Sequence, residues 1–213
     1  MRYECVIFDL DGVICSTDRF HYLAWKKVAE QLHIPFDESV NQRLRGVGRM
    51  ESFDIILENY QGEMSQEDKI YWTERKNDLY REYLKSMSDK DVLPGVRTTI
   101  DGLRGMGLKL ALGSSSRNAR FILDRLQLGD CFDAVIDGND IARSKPDPEV
   151  FTKAALFLEV DPSDSLVVED AKAGLQAALS GGMDCAAVGS SAVSSGLATW
   201  NLADITDLLH VVR

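Results

Sequence analysis

Polar and apolar positions along the chain follow two rhythms. Cys5-Val6-Ile7-Phe8 is a continuous apolar run, rich in β-branched and aromatic residues and ended by Asp9-Leu10-Asp11-Gly12. That is the pattern of a strand buried on both faces. Residues 108–112, 132–136 and 165–168 repeat it, and 185–188 form a fifth, less apolar run. Helical patterns lie between them. One spans 118–126 with Phe121, Ile122, Leu123 and Leu126; another spans 148–158 and places a proline near the first helical position. Strands alternating with helices predict right-handed βαβ units, hence an α/β fold with a doubly wound parallel sheet.

The stretch from Thr17 to Ser88 breaks the alternation. Leu23, Val28 and Leu32, then Phe53, Ile56 and Leu57, fall at helical spacing, and 71–84 continues with Leu79, Tyr80 and Tyr83. This much helix exceeds what one crossover between parallel strands requires. It predicts an all-helical cap over residues 16–90, inserted into a core made of 1–15 and 91–213, with Leu93-Pro94-Gly95 marking the return. Residues 189–199, rich in Ser, Gly and Ala, read as a loop before a short C-terminal helix.

Composition narrows the partners. The charge balance of the 213-residue chain is 24 − 34 = −10, which argues against nucleic acid and against an anionic membrane surface, since both demand a basic face. No apolar run approaches the ~20 residues of a membrane span. Met1-Arg2-Tyr3-Glu4 carries an acid at once and lacks the apolar core of a signal peptide. Cys5, Cys15, Cys131 and Cys185 form no C-x-x-C pair, so neither a disulfide framework nor a zinc site is expected. A cytoplasmic protein acting on a small anionic substrate is the expectation, and nothing calls for more than a monomer.

The chemistry lies where polar residues follow the strands, because ligands of open parallel sheets bind beyond the carboxyl ends of the strands. Asp9 and Asp11 follow the first, Gly113-Ser114-Ser115-Ser116 the second, and Glu169-Asp170 the fourth, while the loop after the third carries Lys145 in Ser144-Lys145-Pro146-Asp147-Pro148. Carboxylates gathered in one small site need a counter-ion, and all-oxygen ligands suit Mg²⁺, with Asp9, Asp11, Glu169 and Asp170 as the candidate ligands. A carboxylate can attack phosphorus, and a second carboxylate two residues on can serve as general acid and base. Asp9 is then the nucleophile and Asp11 the acid/base, while Lys145 balances charge and Ser114, with the amides opening the next helix, holds the phosphoryl oxygens. Simpler readings stand beside these. Asp9 and Asp11 could be turn residues, and 114–116 or Glu169-Asp170 could be helix caps, a role compatible with metal binding.

Phe8-Asp9-Leu10-Asp11-Gly12-Val13, Gly113-Ser114-Ser115-Ser116, Ser144-Lys145-Pro146 and Glu169-Asp170-Ala171-Lys172-Ala173-Gly174 resemble, in this order, the four motifs of the haloacid dehalogenase superfamily. The resemblance implies a Rossmann-like core with a helical cap, and Mg²⁺-dependent phosphoryl transfer through an aspartyl phosphate. An opening Asp-x-Asp favours phosphate esters. Within the superfamily the chain is most similar to the β-phosphoglucomutases, through His21 followed by Ala24-Trp25-Lys26, Leu44-Arg45-Gly46-Val47-Gly48-Arg49 with Ser52, Arg75-Lys76-Asn77, and 114–118. That similarity implies interconversion of β-D-glucose 1-phosphate and glucose 6-phosphate, with glucose 1,6-bisphosphate as intermediate and activator.

The same similarity implies that Arg49, Ser116 and Asn118 hold the non-reacting phosphate with Arg117 nearby. It further implies that Lys76 lines the cap, His21 couples cap closure to Asp11, and Gly46 and Val47 contact sugar. Thr17, Ser52 and Ser115 join the substrate-binding candidates. So does Trp25, although its place one turn after His21 also suits core packing. Ser16, Gly48, Ser115 and Arg117 stand where these mutases commonly carry Asp, Ser, Ala and Lys. Two other functions stand beside this one. A Mg²⁺-dependent sugar-phosphate phosphatase shares the core motifs. A non-enzymatic switch phosphorylated on aspartate fits less well, because receiver domains are shorter, lack a cap and accept phosphate on a middle strand.

Overall fold

The computed structural model describes residues 2–44 and 48–213. Two units make up the chain, one running to Ser16 and again from Met87, the other spanning Thr17–Ser86. The first strand is β1 (Cys5–Phe8); the second unit holds α1 (Asp18–Gln31), α2 (Glu38–Gln42), α3 (Arg49–Leu57) and α4 (Gln66–Leu84). After the return come α5 (Val96–Gly105), β2 (Lys109–Gly113), α6 (Ala119–Leu126), β3 (Ala134–Ile136) and α7 (Glu149–Phe157). The chain continues through β4 (Ser165–Glu169), α8 (Lys172–Ser180), β5 (Asp184–Val188), α9 (Gly189–Ser194), β6 (Trp200–Leu202) and α10 (Leu208–Val211).

All neighbouring strands pair in parallel, in the order β3-β2-β1-β4-β5-β6. The chain works outward from β1 to β3, then returns to the other side of β1 and works outward again to β6. The direction therefore reverses between β1 and β4, and the crevice of such a sheet opens beyond the carboxyl ends at that point. Successive side chains of β1 point to opposite faces. Cys5 and Ile7 join Ala111, Val167, Val150, Phe151 and Ala154 in one buried cluster, and Phe8 meets Phe132 edge-on at 6.1 Å. Fully burying a side chain such as Phe151 contributes roughly 1.5–3 kcal/mol, so α7 is anchored firmly to the sheet.

The structure differs from the sequence-based expectations at several boundaries. The second crossing falls between Ser86 and Met87 rather than after 90, because Met87 is buried and its carbonyl accepts from Arg125 Nε and Nη2 of α6 at 3.1 and 2.9 Å. Ser16 likewise belongs to the core unit. Strand β3 is shorter than the apolar run at 132–136, and the Asp133 carboxylate accepts from Leu110 N at 2.8 Å in place of a ladder carbonyl. The expected loop over 189–199 instead contains α9, and an unexpected edge strand, β6, follows it. Of the three β6 residues only Leu202 is buried, so no apolar run announces that strand.

In the helical unit α1 packs on α4, and Trp25, Val28, Ala29, Ile34, Leu44, Phe53 and Ile56 form the core. Trp25 stacks on Phe53 with ring centroids 5.7 Å apart and planes 8° from parallel. The Ser65 hydroxyl caps α4 by accepting from Asp68 N at 3.1 Å. Among the described residues, no helix is long and apolar enough to cross a membrane.

Candidate active site

Asp9 is the first residue beyond β1, and its N–H still donates to the β4 residue Val168 (3.0 Å). Its carboxylate is therefore held by two strands at the point where the strand order reverses. The Lys145 ammonium lies between Asp9 Oδ1 (2.5 Å) and Glu169 Oε1 (2.7 Å), and rests over the Phe151 ring, 4.5 Å from its centroid. Glu169 Oε2 accepts from Ala171 N at 2.8 Å, so each of its oxygens has a partner within the core unit. Asp9, Glu169 and Asp170 each offer an oxygen within 4.8 Å of the others. Asp11 is not in that group, but its charge acts on both Asp9 and Asp170. Gly12 turns the chain at φ +88°, and a Cβ there would overlap the Asp170 carboxylate. A left-handed glycine thus lets the first and fourth strand-end loops meet.

The electrostatics of this cluster are unbalanced. Burial pushes the Asp9 carboxyl above the usual carboxylate range, Lys145 opposes it, and Glu169 and Asp11 push it further up. For Lys145, burial favours the neutral amine, but Asp9 and Glu169 outweigh it and raise the pKa. Asp170 is pushed up to about 8, by burial first and then by Glu169, Asp9 and Asp11. Four carboxylates against one ammonium, with only oxygen donors, suit a hard divalent cation.

The loop after β2 is built by its own side chains. Ser114 Oγ accepts from Ser116 N, and Ser116 Oγ accepts from Asn118 N, both at 3.2 Å, so each hydroxyl proton remains to be donated elsewhere. Ser115 Oγ accepts weakly from Lys145 N at 3.4 Å. Asn118 stands at the start of α6. The turn after β3 supports this loop from outside. Gly138 N donates to Ser116 O (3.1 Å), and Asn139 Nδ2 donates to Arg117 O (3.0 Å).

The helical unit gathers a second set. Thr17 precedes α1, and its carbonyl accepts from Phe20 N and His21 N at 2.9 and 3.1 Å. Lys76 Nζ lies 2.7 Å from His21 Nδ1 and over the rings of Trp25 and Tyr80, at 5.1 and 4.7 Å. Burial and then Arg49 lower the Lys76 pKa to about 7. Burial, Lys76 and Arg49 likewise hold His21 well below its ordinary value. Arg49 opens α3 and donates through Nη2 to Asn77 Oδ1 at 3.0 Å. Ser52, one turn on, is buried, and its N–H donates to Gly48 O at 2.7 Å. Trp25 belongs to the helical core. Gly46 and Val47 lie outside the described residues.

The structure thus brings Asp9, Lys145, Glu169 and Asp170 together in one unit, and His21, Lys76, Trp25 and Arg49 in the other. Sequence reasoning gave no part in the site to Tyr80, Phe151, Gly138, Asn139 or Glu149. Tyr80 stands one helical turn after Lys76 and Phe151 faces the sheet, so spacing could have found those two. The other three act through backbone contacts, which leave no pattern in a sequence.

A family model described as haloacid dehalogenase-like hydrolase matches residues 3–182. β-Phosphoglucomutase of Bacillus subtilis is 41% identical, over 97% of this chain and 94% of its own. A phosphorylated carbohydrates phosphatase of Thermotoga maritima is 35% identical, over 85% and 82%. The crystal structure of β-phosphoglucomutase from Clostridium difficile superposes with a TM-score of 0.86 at 36% identity, covering 97% of this chain and 93% of that one. With the model spanning most of the chain and relatives this similar along nearly all of it, the chain is an enzyme and belongs to the haloacid dehalogenase-like hydrolase family.

Proposed function

We propose that the protein is a phosphomutase that interconverts β-D-glucose 1-phosphate and glucose 6-phosphate. The observation carrying the chemistry is the buried Asp9 carboxylate at the strand reversal, paired with Lys145. The acyl phosphate on Asp9 first passes its phosphoryl group to the 6-hydroxyl of β-glucose 1-phosphate: the new bond to phosphorus forms as the bond to Asp9 breaks, and Asp11 takes the hydroxyl proton. The sugar then carries phosphate at both ends, as the 1,6-bisphosphate, and turns end for end. An Asp9 oxygen attacks the phosphorus at C1, and the bond from that phosphorus to the sugar oxygen breaks. Asp11 returns its proton to the departing oxygen, and glucose 6-phosphate leaves with the acyl phosphate on Asp9 restored. Lys145 and the Ser114 hydroxyl offset charge on the phosphoryl oxygens. Asp9, Glu169 and Asp170, whose oxygens lie together, would hold Mg²⁺ with Asp11 contributing its charge, and the ion when bound would offset the charge of the transferring group. Excess chelator is expected to stop turnover.

Transfer to a second sugar position, rather than to water alone, is supported by the helical unit, which carries Arg49 beside Asn77 and Lys76 beside His21 in addition to the Ser114 and Lys145 of the core unit. A phosphatase needs one phosphate grip, whereas a mutase must also hold the phosphate that is not reacting. The 41% identity to the B. subtilis β-phosphoglucomutase points the same way. The T. maritima relative, a phosphatase of phosphorylated carbohydrates, keeps a sugar-phosphate phosphatase as the second reading. Product analysis with β-glucose 1-phosphate and a trace of the 1,6-bisphosphate separates the two. Glucose 6-phosphate should form faster than inorganic phosphate. Faster release of inorganic phosphate from glucose 6-phosphate would overturn the mutase and leave the phosphatase.

A further inference from the structure

Lys145 sits in the long loop between β3 and α7, yet its ammonium must meet Asp9 within a few tenths of an ångström. Something has to hold that loop. The first residue of α7, Glu149, turns its carboxylate back over it, with Oε1 and Oε2 each 3.1 Å from Ala142 N and Oε2 2.9 Å from Arg143 N. One helical turn on, Lys153 binds the same carboxylate at 2.7 Å and donates to Asp140 O, also at 2.7 Å. The loop is therefore gripped at 140, 142 and 143, immediately before Lys145. On the far side, Asp147 N donates to Ser144 O at 3.1 Å, and Asp147 Oδ1 accepts from Glu149 N at 3.0 Å.

We propose that Glu149 is a positioning residue for Lys145, fixing the loop so that the ammonium is delivered to Asp9 and to the phosphoryl group transferred there. The inference rests on the role given to Lys145 above. Its physical basis is that α7 is a rigid reference. Val150 and Phe151, the next two residues, are fully buried against the sheet, and Phe151 also lies beneath the Lys145 ammonium. One helix thus holds both the stem of the loop and the lysine at its tip. The Glu149 side chain is 14% exposed, while Lys153 is 43% exposed, so the strap can be cut at Lys153 without opening the core. The bond to Lys153, followed by those from the two backbone N–H groups, holds the Glu149 carboxyl down to about 2. It therefore stays ionised at any pH used for assay. Glutamine at 149 would turn an amide N–H against one of those backbone N–H groups, so size alone does not replace the carboxylate.

A double-mutant cycle tests this, because two residues acting as one unit do not add. Turnover of an aryl phosphate would be measured for Glu149→Gln, Lys145→Ala and the double variant, with circular dichroism and thermal midpoints as controls of folding. Glu149→Gln is expected to lower kcat about tenfold or more with little change in KM, and Lys145→Ala to lower it further. The double variant should match Lys145→Ala within about twofold. Lys153→Met, which spares Glu149, should cause a smaller loss that also vanishes in the Lys145→Ala background, and it keeps the test open should Glu149→Gln fail to fold. Parental turnover in both Glu149→Gln and Lys153→Met, or a full additive loss on top of Lys145→Ala, would overturn the inference alone. Parental turnover in Lys145→Ala would instead overturn the role of Lys145, and this inference with it.

Discussion

The Asp9 carboxylate is one of the few buried charges in the core unit, and it is retained because Lys145 sits against it. An unpaired carboxylate here would cost several kcal/mol and would take up a proton instead. Asp9→Asn keeps the shape and removes both the charge and the nucleophilic oxygen. Turnover should be abolished, with the circular dichroism spectrum unchanged; activity within tenfold of the parent would sink the nucleophile assignment. This residue was legible in the sequence, since an acid closing an apolar run marks a strand end, and strand ends of parallel sheets carry sites. The partition of carboxylates within the cluster was not. Only the tertiary structure places both Glu169 oxygens on hydrogen-bond partners and leaves Asp11 outside the close group.

Loops and helix ends decide how these residues meet. The serine loop after β2 is held from outside by the Gly138-Asn139 turn, and a Cβ on Gly138 would overlap Ser115 O and come within 2.9 Å of Arg117 N. Both obstacles include backbone, which cannot swing aside as the end of a side chain can. Gly138→Ala should therefore destabilise the core unit by about 1–3 kcal/mol and displace 114–118. Urea unfolding would show the first effect, and weaker inhibition of turnover by inorganic phosphate the second. Parental values of both would mean that the turn does not support the loop. Helices α1, α6 and α7 announce themselves by periodicity, and strands β1 to β5 by apolar runs. The edge strand β6 does not, because it owes its form to pairing with β5 rather than to its own three side chains.

Across the whole molecule, contacts distant in sequence take over. In the core unit Tyr3 donates to Asp184 Oδ2 at 2.7 Å and accepts from Trp200 Nε1 at 2.9 Å, and Arg2 pairs with the same carboxylate at 2.8 Å. Burial, then the bond to Asp184, raises the Tyr3 pKa from 10.0 to about 12. The folded state thus favours the neutral phenol. The associated stability is complete below pH 10 and lost as the pH rises towards 12. Between pH 9 and 11.5 the urea midpoint should fall more in the parent than in Tyr3→Phe; equal falls would remove Tyr3 from the account. In the helical unit, Arg49→Ala should cost mutase turnover about ten- to over a hundredfold, the range for a charge-assisted contact of about 1.5–3 kcal/mol. Hydrolysis of a small phosphodonor without a second phosphate should suffer far less, and an equal loss of both would count against a second phosphate grip. The sequence by itself determined the parallel α/β core, the inserted helices and the loops that carry Asp9, Asp11, Ser114, Lys145 and Asp170, because apolar runs, helical spacing and strand-end polarity are local properties. Tertiary structure alone decided where the chain crosses between units, the edge strand β6, the Gly138-Asn139 support and the Glu149 strap. Each of those depends on a backbone group finding a partner in the folded chain, and backbone groups are the same at every residue.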